Sequence, residues 1–158
     1  MKQLYLLLIK VWKSKMGESK TSTPNYLLYF AWVVSVIATL GSLYFSEIKG
    51  YVPCELCWYQ RIFMYPLAII LGIAAFENDT KLKKYVLPLS VFGGLISLYH
   101  YLVQKVPSFA SIKPCVQGVP CNVQYINWLG FITIPFLALT AFTIISILMI
   151  VMFMKKSK

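Results

Sequence analysis

The chain has 158 residues, 59% of them hydrophobic and only 13% charged, with a mean hydropathy of +0.70. An ordinary soluble domain is about half apolar and about a quarter charged, so the composition sets the soluble classes aside and places the chain in the membrane. A net charge of +10 suits a nucleic-acid partner, but the positions of the lysines argue against one.

Residues 1 to 13 carry Leu4, Leu7, Leu8 and Val11 at helical spacing with lysines nearby. The apolar core Leu4 to Ile9 is short for a signal peptide, and no convincing small-residue cleavage site follows it. The pattern predicts an amphipathic helix lying in the membrane interface.

A bilayer core takes about 20 apolar residues of helix. Tyr26 to Phe45 contains no charge and forms the first predicted span. Ile62 to Phe76 is clean but short, and it reaches a full span only if residues 57 to 61 form its first turn, which gives a second span of about 58–76. Tyr85 to Gln104 is the third, with Pro88 expected in its first turn, where a missing N–H does little harm. Trp128 to Met154 is the fourth and longest, expected to tilt, with Pro135 expected to kink it. The small-xxx-small pairs Ser90/Gly94 and Gly93/Ser97 read as close helix packing. The fold expected is an all-α membrane protein, a four-helix transmembrane bundle in one domain over residues 1–158, with the interfacial helix ahead of it.

Eleven lysines fall on one side of this scheme: Lys2, Lys10, Lys13, Lys15 and Lys20, then Lys81, Lys83 and Lys84, then Lys155, Lys156 and Lys158. The other side has only Lys49, Arg61, Lys105 and Lys113. Positive charge in short loops stays cytoplasmic, which puts both termini inside and loops 46–57 and 105–127 outside. The basic balance is thus a topology signal and an attraction to anionic lipid, not a nucleic-acid site.

The four cysteines fall into two pairs, Cys54/Cys57 in the first outer loop and Cys115/Cys121 in the second. Lysines alone set the topology, and it places every cysteine where disulfides persist. Three chemistries fit: structural bridges, a four-thiolate zinc site, and redox exchange between the pairs. A Cys-x-x-Cys ring is common in exchangers and rare as a staple, and zinc sites favour reducing compartments, so exchange is preferred and no metal is expected.

Local physics supports reactivity. Cys57 falls at the start of the second span, where free backbone N–H groups and the helix dipole favour a thiolate. Arg61 follows at i+4 on the same helix face. A guanidinium at the membrane edge costs up to ~3 kcal/mol if carried to the centre, so it needs a polar partner: the Cys57 thiolate or the oxygen of a cofactor. A mere anchor that snorkels to headgroups is the plainer alternative. His100, the single histidine, forms a polar stripe with Gln104 near the outer end of the third span. It reads as a cofactor contact or as a satisfied core donor. Residues 105–127 hold Pro107, Pro114, Pro120 and Gly118 and show no helical period, and C-V-Q-G-V-P-C closes a seven-residue ring if bridged. An exposed loop of this kind suits a disulfide that must meet a soluble protein.

C-E-L-C-W-Y-Q-R opening the second of four spans, with one cysteine pair per outer loop, closely resembles the DsbB family of disulfide bond formation proteins, in its shorter Gram-positive-type form. That family works with DsbA and quinone to keep an extracytoplasmic compartment oxidising. The resemblance implies a bacterial plasma-membrane protein that reoxidises a thioredoxin-fold, DsbA-like thiol oxidase and passes electrons to the respiratory quinone pool, menaquinone or ubiquinone. It implies that the partner attacks a Cys115–Cys121 bridge at Cys115, that Cys121 attacks Cys54, and that Cys57 leaves as a thiolate beside the quinone. Arg61 and His100 match positions that contact the quinone. The second pair here is only five residues apart from first to last intervening residue, closer than in the best-known Gram-negative members, so the attacked residue could instead be Cys121. A vitamin K epoxide reductase-like enzyme is the rival within redox chemistry, disfavoured because the Cys-x-x-Cys opens the second span. A non-enzymatic four-span scaffold with structural bridges is the rival outside it.

Overall fold

A computed structural model describes residues 26–106, 119–121, 123, 125–127 and 130–156. The expected interfacial helix at the N-terminus and Cys115 lie outside the described residues. Among the described residues there are four long helices: α1 Tyr26–Leu43, α2 Glu55–Glu77, α3 Lys83–Lys105 and α4 Ile134–Lys156. Each belongs to a segment long and apolar enough to cross a membrane. The helices pack in a ring, α1 on α2, α2 on α3, α3 on α4 and α4 on α1, while α2 and α4 barely touch across the diagonal. Large apolar side chains such as Phe30, Ile37, Ile69, Phe92 and Ile147 are exposed on the outer faces, as lipid-facing surfaces require.

Small residues set the close approaches. A Cβ at Gly93 would collide with the ring of Phe142, so α3 and α4 meet there only because the position is glycine. Ser97 Oγ donates to the Gly93 carbonyl at 2.9 Å, and Ser146 Oγ bonds Ser90 Oγ across the same seam, also at 2.9 Å. The expected small-residue packing is therefore present, and it holds the core formed by Leu67, Leu71, Val86, Phe142, Ile145 and Met149.

The helix limits refine the sequence reading. α1 runs on into a π-helical turn, Tyr44–Ile48. α2 starts at Glu55, so residues 57–61 do supply the missing turn. It ends on Asn78 in the left-handed region (φ 52°), whose N–H returns to Ala74 and Ala75 carbonyls. Asp79 Oδ1 then accepts from Lys81 N–H at 2.8 Å, opening the short 3-10 turn Thr80–Leu82. α3 begins at Lys83, earlier than expected, so Pro88 lies inside the helix and not in its first turn. The early start follows from Lys83 itself: it is buried, with Nζ donating to the Met152 carbonyl at 2.8 Å and lying 4.5 Å from the Phe153 ring centroid. A cation there favours the C-terminal end of α4. α4 begins at Ile134 and not Trp128, which moves Pro135 into the first turn, where it suits the helix and makes no kink.

Candidate redox site

Pro53 and the extended Cys54 (φ −72°, ψ 170°) bring the chain to the start of α2, and the Cys54 carbonyl accepts the helix's first bond from Trp58 N–H at 3.1 Å. Cys57 then sits in the first turn. Both cysteines are free, with their sulfurs 2.9 Å apart. Cys121 is disulfide-bonded. It is 4% exposed and packs with Cys54, Leu56 and Val103 in a small core at the same end of the bundle.

His100 joins these parts. It is 1% exposed. Its Nε2 lies 3.1 Å from the Cys121 carbonyl and 3.6 Å from Cys54 Sγ, and its Nδ1 lies 3.0 Å from Gln60 Nε2. Ligand atoms of Cys54, His100 and Cys121 all fall within 4.8 Å of one another. That spacing brings one cysteine of each pair into near contact. It is also close enough to hold a soft metal ion, although a disulfide-bonded sulfur is not the thiolate such an ion needs. The hydrogen bond with Cys57 holds the Cys54 thiol well below its ordinary value, against the opposing effect of burial, and His100 lowers it further. In this reduced pair the negative charge therefore favours Cys54, whereas the sequence reading had put it on Cys57.

The polar stripe of α3 binds the loop ahead of α4. Beside the His100 contact, Gln104 Nε2 donates to the Val123 carbonyl at 3.1 Å. Lys105 Nζ donates to Asn127 Oδ1 at 3.2 Å and to the Gly130 carbonyl at 2.6 Å.

On the other side of Cys57, a cavity of about 380 Å³ opens where α2 and α4 diverge, lined by Ala38, Gly41 and Ser42 of α1, Cys57 and Arg61 of α2, and Ala138 of α4. Arg61 Nε donates to Ser42 Oγ at 2.9 Å and Nη2 to the Ser42 carbonyl at 3.1 Å, and the guanidinium lies 5.4 Å from the Trp58 ring centroid. Arg61 thus bonds Ser42, where the sequence points to the Cys57 thiolate or a cofactor oxygen, and Ser42 lies next to the turn where α1 changes from α to π register. Such turns loosen the backbone ladder and recur at functional sites. Phe45, Tyr51 and Tyr125 stack over the mouth, with centroids 6.1 Å and 4.7 Å apart in turn. His100 does not line this cavity. It lines a smaller one with Cys54 and Cys57.

Sequence reasoning passed over Gln60 and Ser42. Gln60 had a usable signal, since an amide inside a membrane span needs a partner, and it stands in the same motif as Cys57 and Arg61. Ser42 had none, because only the packing of α1 on α2 brings it to Arg61.

Reduced thiols between a docked loop and an apolar cavity, at one end of a four-helix membrane bundle, define a membrane dithiol–disulfide protein. The model of the family "Disulfide bond formation protein DsbB" matches residues 24–152. The chain is 66% identical over 131 residues to disulfide bond formation protein C of Bacillus subtilis (strain 168), covering 83% of this chain and 95% of that one. It is 53% identical over 132 residues to a probable disulfide formation protein C 1 of Bacillus anthracis, covering 84% and 94%. A probable disulfide formation protein of Coxiella burnetii (strain CbuK_Q154) is 49% identical over 136 residues, covering 85% and 92%. No solved structure matches significantly. The chain belongs to the DsbB family.

Proposed function

We propose that the protein is a membrane thiol–disulfide oxidoreductase that reoxidises an extracytoplasmic thioredoxin-fold thiol oxidase and passes the electrons to a membrane quinone. The observation that carries this reading is the position of the Cys54–Cys57 pair, with Cys121 and His100 within 4.8 Å of Cys54 and an apolar cavity of about 380 Å³ against Cys57.

The exchanges balance. A thiolate of the reduced partner attacks Cys115 of a Cys115–Cys121 bridge, a mixed disulfide forms, and Cys121 leaves as a thiolate. Burial of Cys121 supports Cys115 as the attacked residue, because an outside partner has poor access to a residue 4% exposed. Cys121 attacks Cys54, and Cys57 leaves. The partner's second thiol resolves the mixed disulfide, freeing Cys115. Cys115 then attacks Cys121, and Cys54 leaves. The partner departs oxidised and Cys54 and Cys57 hold its two electrons, the arrangement of bonded Cys121 and free Cys54 and Cys57 in the structure.

The cavity fits a quinone: its walls are apolar, and Arg61 supplies hydrogen-bond donors beside Cys57. A quinone held there would take the two electrons released as the Cys54–Cys57 disulfide re-forms, with one proton from the Cys57 thiol and the second from solvent, because Cys54 is a thiolate in the reduced pair. His100, expected as a second contact, serves in this reading the thiol side, where its ring nitrogens already face Cys54, Cys121 and Gln60. Sidedness follows from the lysines, which leave the cysteine end outside.

The test is anaerobic. Purified protein, a short-chain quinone and a reduced thioredoxin-fold oxidase are mixed, and quinone reduction is followed by absorbance. Wild type reduces the quinone and Cys57→Ser does not. Failure of the wild type, or full activity of Cys57→Ser, would sink the mechanism. Cys121→Ser should accumulate partner bound at Cys115, and accumulation only with Cys115→Ser reverses the order.

A further inference from the structure

Gln60 takes no part in the exchanges above, yet it is 6% exposed, inside a membrane-spanning helix, and aimed at the chain's only histidine. The chemistry of its partners fixes what it does. The Cys121 carbonyl can only accept a hydrogen bond, so the His100 nitrogen 3.1 Å away, Nε2, carries the hydrogen. A neutral imidazole has one N–H, so Nδ1 is then a bare acceptor. An apolar neighbour would leave that acceptor buried and unpaired, and a carboxylate would need a hydrogen on Nδ1 as well. An amide meets the need by turning its NH₂ toward Nδ1, as Gln60 does at 3.0 Å.

We propose that Gln60 is a positioning residue that locks His100 as the neutral Nε2–H tautomer, and that this tautomer both docks Cys121 beside Cys54 and steadies the Cys54 thiolate when it leaves. The inference rests on the proposed relay for its kinetic part only. Two consequences follow from one proton. The Nε2–H donated to the Cys121 carbonyl anchors the loop backbone, which keeps the Cys121 sulfur next to Cys54. The same N–H lies 3.6 Å from Cys54 Sγ, where a thiolate accepts it. In the step in which Cys115 attacks Cys121 of the Cys54–Cys121 bond, one S–S bond forms as another breaks. Cys54 takes the electron pair, and the Nε2–H is the donor that receives it. The opposite tautomer would point a lone pair at both the carbonyl and the thiolate. Gln60 also lines the larger cavity beside Cys57 and Arg61, so α2 supports both sides of the pair from successive positions.

A single histidine makes the test direct. Protein labelled with ¹⁵N-histidine, in lipid nanodiscs and with Cys54 and Cys57 reduced, gives one imidazole in a long-range ¹H–¹⁵N correlation spectrum. The expected wild-type pattern is an unprotonated Nδ1 and a protonated Nε2. In Gln60→Leu the tautomer preference is lost, and in Gln60→Glu both nitrogens carry hydrogen. Transfer between the two cysteine pairs, measured without quinone by quenching with an alkylating agent, should slow roughly tenfold in Gln60→Leu, about the worth of one hydrogen bond. A protonated Nδ1 in the wild type overturns the proposal even if no variant folds. A Gln60→Leu protein with unchanged tautomer and unchanged transfer rate overturns it too. Failure of the wild type to reduce quinone from a reduced partner would instead strike the relay and leave the tautomer reading standing.

Discussion

Cys54 stands at the N-cap of α2, where its sulfur bonds Cys57 in the first turn and faces His100 and Cys121. Its lowered pKa, about 4 against an ordinary 9.0, has a measurable result. A low value stabilises the reduced pair fully above the ordinary thiol range, and that stabilisation is lost as pH falls through the lowered value. Between those limits reduction of the pair takes up one proton for two electrons, not two. The Cys54–Cys57 midpoint potential should therefore fall by about 30 mV per pH unit from about pH 5 to about pH 8, half of the ~59 mV expected when both sulfurs protonate. Thiol–disulfide titrations at stepped pH read this slope, and a steep slope throughout would show that Cys54 is an ordinary thiol. Arg61 makes a second case. Its two bonds to Ser42 and its place over Trp58 use the planar guanidinium, which a lysine cannot imitate. Arg61→Lys should keep the charge but raise the KM for quinone roughly tenfold, the worth of one charge-assisted bond, with a smaller rise for Ser42→Ala, which keeps the carbonyl contact. Equal KM values for Arg61→Lys and wild type would show that charge alone is enough.

The helices were the most legible part of the chain because span length and charge placement are strong, redundant signals. Their ends were less so. Pro88 and Pro135 exchanged roles relative to expectation because helix starts depend on tertiary partners: the Met152 carbonyl draws Lys83 into α3, and no local pattern records that contact. The glycines of α3 were read correctly as packing, and Gly93 carries the stronger consequence. Its missing side chain is occupied by Phe142. Gly93→Ala should lower the unfolding free energy in detergent by about 1–3 kcal/mol, the usual cost of overpacking. Phe142→Leu in the same chain should restore part of the loss by making room. Thermal unfolding of the single and double variants measures the coupling, and simple additivity would mean that the two residues do not share the space.

Across the bundle, the two electron transfers use different walls. The thiol side is built from Cys54, His100 and the loop ahead of α4, held by the polar stripe of α3. The cavity side is built from α1, α2 and α4. Cys57 and its helix belong to both, and Tyr125 of the same loop and Ile134 at the start of α4 also line both cavities. The motif C-E-L-C-W-Y-Q-R made α2 legible, since Cys57 and Arg61 share a helix face by spacing alone. The separation of the two sides was not legible, because His100 and Arg61 sit at similar depth in the sequence scheme and only the packing order sends them to opposite sides of the pair. This separation predicts that the half-reactions can be uncoupled. Gly41 lines the cavity, and a Cβ there meets nothing within 4 Å, so the position has open space for a side chain to begin. A leucine there adds about three carbons beyond the Cβ, enough to compete with a ring for space but too few to reach the thiol side. Gly41→Leu should therefore raise the KM for quinone by about tenfold or more, in keeping with lost shape complementarity in an apolar site. A single turnover with reduced partner and no quinone should run at the wild-type rate, because neither the partner's sulfur nor Cys121 approaches through that cavity. The two measurements together are decisive. If the partner half-reaction slows as much as quinone reduction, the cavity and the cysteine relay are one site and not two sites that share a pair of thiols.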